Sequence, residues 1–215
     1  MSKKRKVYEG QTVDVTWDGE LCIHIGECGR AKGDLFVGGR DPWCDPDVSS
    51  DDDVADVCER CPTGALTYQA KAEGGPAESA DDENRAFVAY NGPLYLRGEQ
   101  DIDAEASAGT RFRAALCRCG ESKNKPFCDN SHLEAGFVDY GAVGESGDGN
   151  EAEGGELKVA RAKDGPLLLN GNFAIVAASG RMAWRGTKAA LCRCGKSKNK
   201  PFCDGAHKAA GFTAD

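Results

Sequence analysis

Apolar and polar positions alternate along this chain only over short stretches, each bounded by turn residues. Lys6-Val7-Tyr8 and Thr12-Val13-Asp14-Val15-Thr16-Trp17 alternate as strands do around the turn residues Glu9-Gly10. Asp52 to Arg60 places Val54 and Val57 on one side and predicts a short helix. Leu66-Thr67-Tyr68 predicts the strand that closes this head. Further on, Asn91-Gly92-Pro93-Leu94-Tyr95-Leu96 and Asp164-Gly165-Pro166-Leu167-Leu168-Leu169 each set a Gly-Pro turn before a strand. Two stretches lack any period and carry Gly, Pro and acids: residues 70–85 and residues 139–156. They predict linkers, which leave a head over residues 6–69 and two units over residues 86–138 and 157–213.

The two units are copies. Cys117 to His132 recurs almost letter for letter as Cys192 to His207, and both read C-R-C-G-x-S-K-N-K-P-F-C-D-x-x-H. Arg113-Ala114-Ala115-Leu116 matches Lys188-Ala189-Ala190-Leu191, and Gly136-Phe137 matches Gly211-Phe212. Between the Gly-Pro turn and this landmark the second copy has two extra residues, so the insertion lies in a strand connection. Each copy therefore predicts short strands, a ligand loop, and a helical turn beginning near Asp129 or Asp204.

Composition sharpens the picture. With 215 residues, 40% of them hydrophobic and 28 of them Gly, no long continuous core is expected, and small modules of this kind need a staple such as a metal. The 11 Cys are an odd number, which argues against a plain disulfide framework. Lys3 to Lys6 lead into Val7-Tyr8-Glu9 rather than an apolar run, and no stretch approaches the roughly 20 apolar residues that span a bilayer. A reducing, cytoplasmic compartment with no membrane attachment is expected, where thiol clusters bind metals. The net charge of −8 disfavours nucleic acid as a partner and leaves the Lys3 to Lys6 run as a solvated tail.

The chemistry lies in C-x-C-x8-C-x3-H, present twice. Extended backbone points the two side chains of C-x-C apart onto neighbouring coordination positions. The long loop brings back a third thiol, and the last spacing sets an imidazole one helical turn further on, on the same face. Three thiolates and one imidazole can serve two irons with two ligands each, or a single tetrahedral zinc.

These segments resemble the CDGSH iron–sulfur domain of the mitoNEET-like proteins, through Cys117, Cys119, Ser122, Pro126, Cys128, Asp129 and His132. The second copy matches through Cys192, Cys194, Ser197, Pro201, Cys203, Asp204, Gly205 and His207. The resemblance implies two 2Fe–2S clusters. Cys117 and Cys119 would hold the inner iron and Cys128 and His132 the outer one; Cys192 with Cys194, then Cys203 with His207, would repeat the arrangement. Single domains of this family resemble half of an intertwined dimer, so two copies in one chain are expected to form a pseudo-twofold unit with a β-cap over two cluster-binding loops. Such a chain is expected to be a monomer, its self-complementary surface being used internally. Copy one departs from the pattern at Asn130, where Gly is usual; Asn is the best non-Gly residue for a positive φ. A neutral imidazole in place of a thiolate raises the reduction potential and makes the site sensitive to acid.

In the head, Cys22 and Cys28 are spaced like the outer ligands of a bacterial ferredoxin set that lacks its middle Cys, and Cys61-Pro62 reads as the closing half. Cys22, Cys28 and Cys61 form the expected trio, with His24 as first choice for a fourth ligand and Cys44 and Cys58 as rivals. The head resembles the divergent mono-cluster 4Fe–4S ferredoxins through Cys22, His24, Cys28, Phe36, Pro42, Trp43, Cys61, Pro62, Gly64, Ala65, Leu66 and Tyr68. The resemblance implies a ferredoxin-like fold holding one 3Fe–4S or 4Fe–4S cluster, and for the whole chain an α+β architecture.

Three function classes follow. The first is a multi-cluster electron carrier whose partners are redox proteins. The second is a 2Fe–2S donor to apo iron–sulfur acceptors, or a redox or iron sensor. The third is a structural zinc protein. No nucleotide fingerprint or Ser-His-Asp arrangement points to an enzyme, and all three His have metal roles in this reading.

Overall fold

In the computed structural model, the structure describes residues 5–104, 108–147, 149 and 154–214. Lys3 and Lys4 of the basic run, and part of the second expected linker, lie outside the described residues.

The head forms the strands that its alternation predicts. β1 (Arg5–Tyr8), β2 (Val13–Asp18) and β3 (Leu66–Ala70) make an antiparallel sheet in the order β1-β2-β3. Val13 and Val15 of β2 are buried while Asp14 and Thr16 are partly open, as a period of two requires. A one-turn helix α1 (Glu27–Arg30) follows the first ligand segment, and α2 (Asp51–Glu59) covers the sheet. α2 begins at Ser50, whose hydroxyl accepts from the Asp53 amide at 3.2 Å, and Asp51, Asp52 and Asp53 face the positive end of the helix. Its buried face carries Val54, Ala55, Val57 and Cys58.

The two copies share one sheet. β4 (Arg85–Val88), β5 (Leu94–Arg97), β6 (Gln100–Ile102) and β7 (Arg113–Leu116) come from the first copy. β8 (Leu157–Arg161), β9 (Leu167–Val176) and β10 (Met182–Leu191) come from the second. The strand order is β6-β8-β9-β4-β5-β7, with β10 also paired to β9. β4 runs parallel to β9 with Arg85 opposite Ala174, and β6 runs parallel to β8 with Asp101 opposite Lys158. Arg85 and Lys158 are equivalent positions of the copies, as are Asp101 and Ala174, so this is one contact made twice. Two further pairs repeat it: Lys125 lies 5.9 Å from the ring of Phe212, and Lys200 lies 5.9 Å from the ring of Phe137.

Because the sheet crosses from one copy to the other, its apolar face is continuous. Leu94, Leu96 and Leu116 of copy one pack in the same cluster as Leu167, Leu169 and Ile175 of copy two, joined by Leu21 and Ala65 of the head. The composition led us to expect small separate cores; pairing β4 with β9 merges them. The expected linkers are also tied down. Asn84, 1% exposed, donates to the carbonyls of Gly155 and Asn172 at 2.7 and 2.9 Å and accepts from the Glu99 amide at 2.8 Å. Val143 is buried in the shared core, and Asn199 donates to Glu145 at 2.6 Å.

The ligand loops meet at two glycines. Gly120 (φ +92°) would bring a Cβ within 2.7 Å of the Cys194 carbonyl oxygen, and Gly195 (φ +75°) would press one into the Cys119 carbonyl. Gly195→Ala combines a left-handed backbone with a backbone clash, costing about 2–5 kcal/mol. The unfolding midpoint of the as-isolated protein should fall by roughly 10 °C in calorimetry. An unchanged midpoint would show that the loops do not meet. Among the described residues no helix is long and apolar enough to cross a membrane.

Candidate metal centres

Each ligand loop folds back on the strand that enters it. Cys117 N–H donates to Pro126 O and Cys128 N–H to Ala115 O, both at 2.8 Å; Cys192 to Pro201 and Cys203 to Ala190 repeat these distances. The loop interior is braced by its own polar residues. Ser122 donates to Phe127 O at 2.6 Å and accepts from Asn124 N–H at 3.0 Å, while Asp129 accepts from Lys123 N–H at 2.8 Å and Ser131 N–H at 3.0 Å. Ser197 and Asp204 make the same bonds in copy two. Phe127 and Phe202 are buried beneath the loops. The helical turns are α3 (Ser131–Glu134) and α4 (Ala206–Ala209), entered through Asn130 at φ 72° and Gly205 at φ 85°. Asn130 thus adopts the left-handed backbone that the usual Gly would supply.

These loops bring the expected ligands together in pairs. The sulfurs of Cys117 and Cys119 lie 3.6 Å apart and those of Cys192 and Cys194 3.8 Å apart. Cys128 Sγ is 3.5 Å from His132 Nδ1, and Cys203 Sγ is 3.4 Å from His207 Nδ1. On a tetrahedral ion with thiolates at ~2.3 Å and imidazole at ~2.0 Å, neighbouring ligands stand about 3.8 Å (S to S) or 3.5 Å (S to N) apart. Each pair therefore fits two positions of one metal. Yet among the described residues no three Cys, His, Asp or Glu side chains gather as they would around a single ion. Each loop thus offers two close donor pairs, one thiol–thiol and one thiol–imidazole, which fit a group held at two points.

Electrostatics prepares the pairs unequally. The contact with Cys119 holds the Cys117 thiol below the usual range, and the same contact together with burial pushes Cys119 up. Burial raises Cys128 to about 11, so a bound metal must drive off its proton. Burial, then the Arg118 guanidinium, hold His132 below its ordinary 6.5 and keep its imidazole neutral for ligation. Arg118 is the middle residue of C-R-C and points away from the sulfurs. It is 3% exposed, donates to the carbonyls of Gly92 and Ala89 at 3.0 and 2.6 Å, and pairs with Asp139 at 2.7 Å. Arg193, 1% exposed, does the equivalent with Gly165 and Ala162. Sequence reading passed over both arginines, although their recurrence inside the ligand motif was the available signal. Lys125 and Lys200 fold onto aromatic rings across the copies, while Lys123 and Lys198 stay exposed.

In the head, Cys22, Cys28 and Cys61 line one apolar cavity of about 490 Å³ together with His24, Trp17 and Trp43. The Cys28 thiol is pushed up by burial and by the neighbouring Cys61 and Cys22. Of the rivals for a fourth ligand, His24 borders this cavity, with Nδ1 3.9 Å from Cys22 Sγ and a left-handed φ of 54°. Cys44 and Cys58 do not line it. They are 1% and 0% exposed in the head core beside Val54 and Leu66, and burial raises Cys44 to about 12 and Cys58 further. The cavity and its three thiols fit a compact cluster.

Comparison with known proteins agrees with this geometry. Residues 91–133 and 164–208 each match the family described as iron-binding zinc finger, CDGSH type, and residues 8–71 match the divergent 4Fe-4S mono-cluster family. Over 66 residues the chain is 39% identical to the uncharacterized protein YjdI of Escherichia coli K12, a match spanning 31% of this chain and 87% of that protein. The YjdI protein of Escherichia coli O157:H7 matches to the same extent. No solved structure matches the chain. With paired thiol–imidazole sites in two copies and a three-thiol cavity in the head, the chain is an iron–sulfur protein that belongs to the CDGSH-type family through its tandem repeats and to the divergent 4Fe-4S mono-cluster family through its head.

Proposed function

We propose that this protein carries electrons through three iron–sulfur centres: a 2Fe–2S cluster in each repeat and a 3Fe–4S or 4Fe–4S cluster in the head. When bound, such clusters supply one-electron redox chemistry. The observation that carries this reading is the division of each ligand set into two close pairs, 3.6 and 3.5 Å in the first repeat and 3.8 and 3.4 Å in the second, without a three-ligand focus. In this reading Cys117 with Cys119 and Cys192 with Cys194 hold the inner irons, Cys128 with His132 and Cys203 with His207 hold the outer ones, and Cys22, Cys28 and Cys61 hold the head cluster with His24 beside it. The repeats act as an intramolecular dimer in which β6 and β4 exchange places across the copies, supported by the reciprocal pairings with β8 and β9. The partners are redox proteins in the cytoplasm, and the chain itself catalyses no reaction.

A second reading, donation of a 2Fe–2S unit to an apo-protein, is favoured by one observation. Cys203 and His207 are partly exposed, whereas Cys128 and His132 are 3% and 8% exposed. Anaerobic purification with iron and acid-labile sulfide counts, joined to electron paramagnetic resonance of oxidised and reduced protein, tests the main reading. Two 2Fe–2S signals plus one further centre are expected. Colourless protein with stoichiometric zinc and no sulfide would overturn both readings. Reversible reduction with clusters retained separates the carrier from a donor, which would lose its 2Fe–2S absorbance to added apo-ferredoxin.

A further inference from the structure

The two repeats are near-identical in their ligands, and several of the places where they differ meet the head in copy one. Asn130 of copy one stands where copy two has Gly205; its amide donates to the Ile23 carbonyl at 2.6 Å. Asn124 donates to the Glu20 carbonyl at 2.9 Å, while its counterpart Asn199 turns to Glu145. On the adjoining strands Arg97 faces Arg113, and their counterparts Asn170 and Lys188 face each other in the same register. Arg113, 1% exposed, donates to the carbonyls of Cys58, Cys61 and Leu66, and Arg97 donates to Glu59 at 3.3 Å. Each of these acceptors belongs to the head. Tyr95 of copy one packs against Ile23 and Cys128, where copy two has Leu168, 43% exposed. At Gly205 a Cβ would meet nothing within 4 Å.

We propose that these copy-one residues form a latch that seats the head's ligand segment, through Ile23, on Cys128, so that the head site and the first-repeat site form a fixed relay, which the second-repeat site meets through the touching Gly120 and Gly195 loops rather than through the head. The inference rests on the reading of all three sites as redox centres. Ile23 is 3% exposed, follows the ligand Cys22 directly, and packs on Cys128 with Ala115, so a single residue joins the two ligand sets. Tyr95 packs against this same cluster of Ile23, Ala115 and Cys128. The exchange is a one-electron loss at one site and a one-electron gain at the other, with no bond made or broken, and an external one-electron reductant replaces the electron. Asn130 therefore has two duties: it takes the left-handed backbone that Gly would take, and it reaches the head as Gly could not.

The test converts the latch into its copy-two counterpart, in Asn130→Gly and in Asn130→Gly with Arg113→Lys, using the full chain as isolated. Gly suits the backbone at 130, so the single variant retains the ligand loop if the double one fails to fold. Hydrogen exchange over residues 20–25 should accelerate at least tenfold in the single variant and further in the double one, with exchange over 157–191 unchanged. Resonance spectra of the dithionite-reduced wild type should show magnetic interaction between the head centre and one repeat only, weakened in the variants. Unchanged exchange over 20–25 would overturn the latch. Full iron and sulfide counts without magnetic interaction in the wild type would overturn the relay and leave the iron–sulfur reading intact, whereas absent sulfide would remove that reading itself.

Discussion

Arg113→Ala is expected to lower stability by about 3–5 kcal/mol, the range found when one member of a buried ion pair is removed. Arg113 is 1% exposed and holds Glu78 through two nitrogens, Nε at 2.5 Å and Nη2 at 2.7 Å. The same guanidinium satisfies the carbonyls of Cys58 at 2.7 Å, Cys61 at 2.5 Å and Leu66 at 3.0 Å. Truncation leaves a carboxylate and three carbonyls without that donor, each costing free energy in a place water reaches poorly. A chain of this size loses ~2–4 °C per kcal/mol, so the midpoint should drop by roughly 10 °C or separate into two transitions as the head loosens. Calorimetry of the as-isolated variant decides this; a single transition within about 2 °C of wild type would show that the pair contributes little.

Acid should strip the two repeats in order, the second first. His132 has its folded pKa depressed below 6.5, chiefly by burial and then by Arg118. The folded state therefore binds fewer protons than the unfolded one, and stability rises with pH. Its contribution is complete above 6.5 and is lost as pH falls from there through the depressed folded value. Burial and the seated head delay proton entry at Cys128 and His132, whereas Cys203 and His207 are partly open. Visible absorbance should thus fall in two steps as the pH drops, the first belonging to the more open second repeat. His207→Cys replaces a neutral ligand by an anionic one. It should abolish that first step and lower the potential of one 2Fe–2S signal by on the order of a hundred millivolts. A spectrum unchanged from neutral pH to about pH 5 in the wild type would overturn the imidazole ligation.

Much of the site could be read from the order of residues because each repeat keeps its ligands within one local loop. Ser122, Asp129 and Pro126 sit between or beside the cysteines, and the bonds they make run within the same loop. The head was less legible for the opposite reason. Cys61 lies beyond α2 in the chain and meets Cys22 and Cys28 only through the tertiary fold, and five cysteines in that region compete on paper for the same place. Burial of Cys44 and Cys58 in the head core removes them from the cavity; Cys58 shares the helix face of Val54, whereas no local pattern foretold the burial of Cys44.

The close pairing of Cys117 with Cys119 and of Cys128 with His132, its repetition in the second copy and the short strands around these loops were dictated by residue order, since C-x-C, a tight loop and one helical turn act over a few residues. Which repeat carries the head was decided in three dimensions. That choice depends on long-range partners such as Arg113 with Cys61 and Asn130 with Ile23, which lie far apart along the chain and become neighbours only when the sheets are assembled. The merging of two modest apolar sets into one core is of the same kind, because β4 finds β9 only across the whole intervening chain.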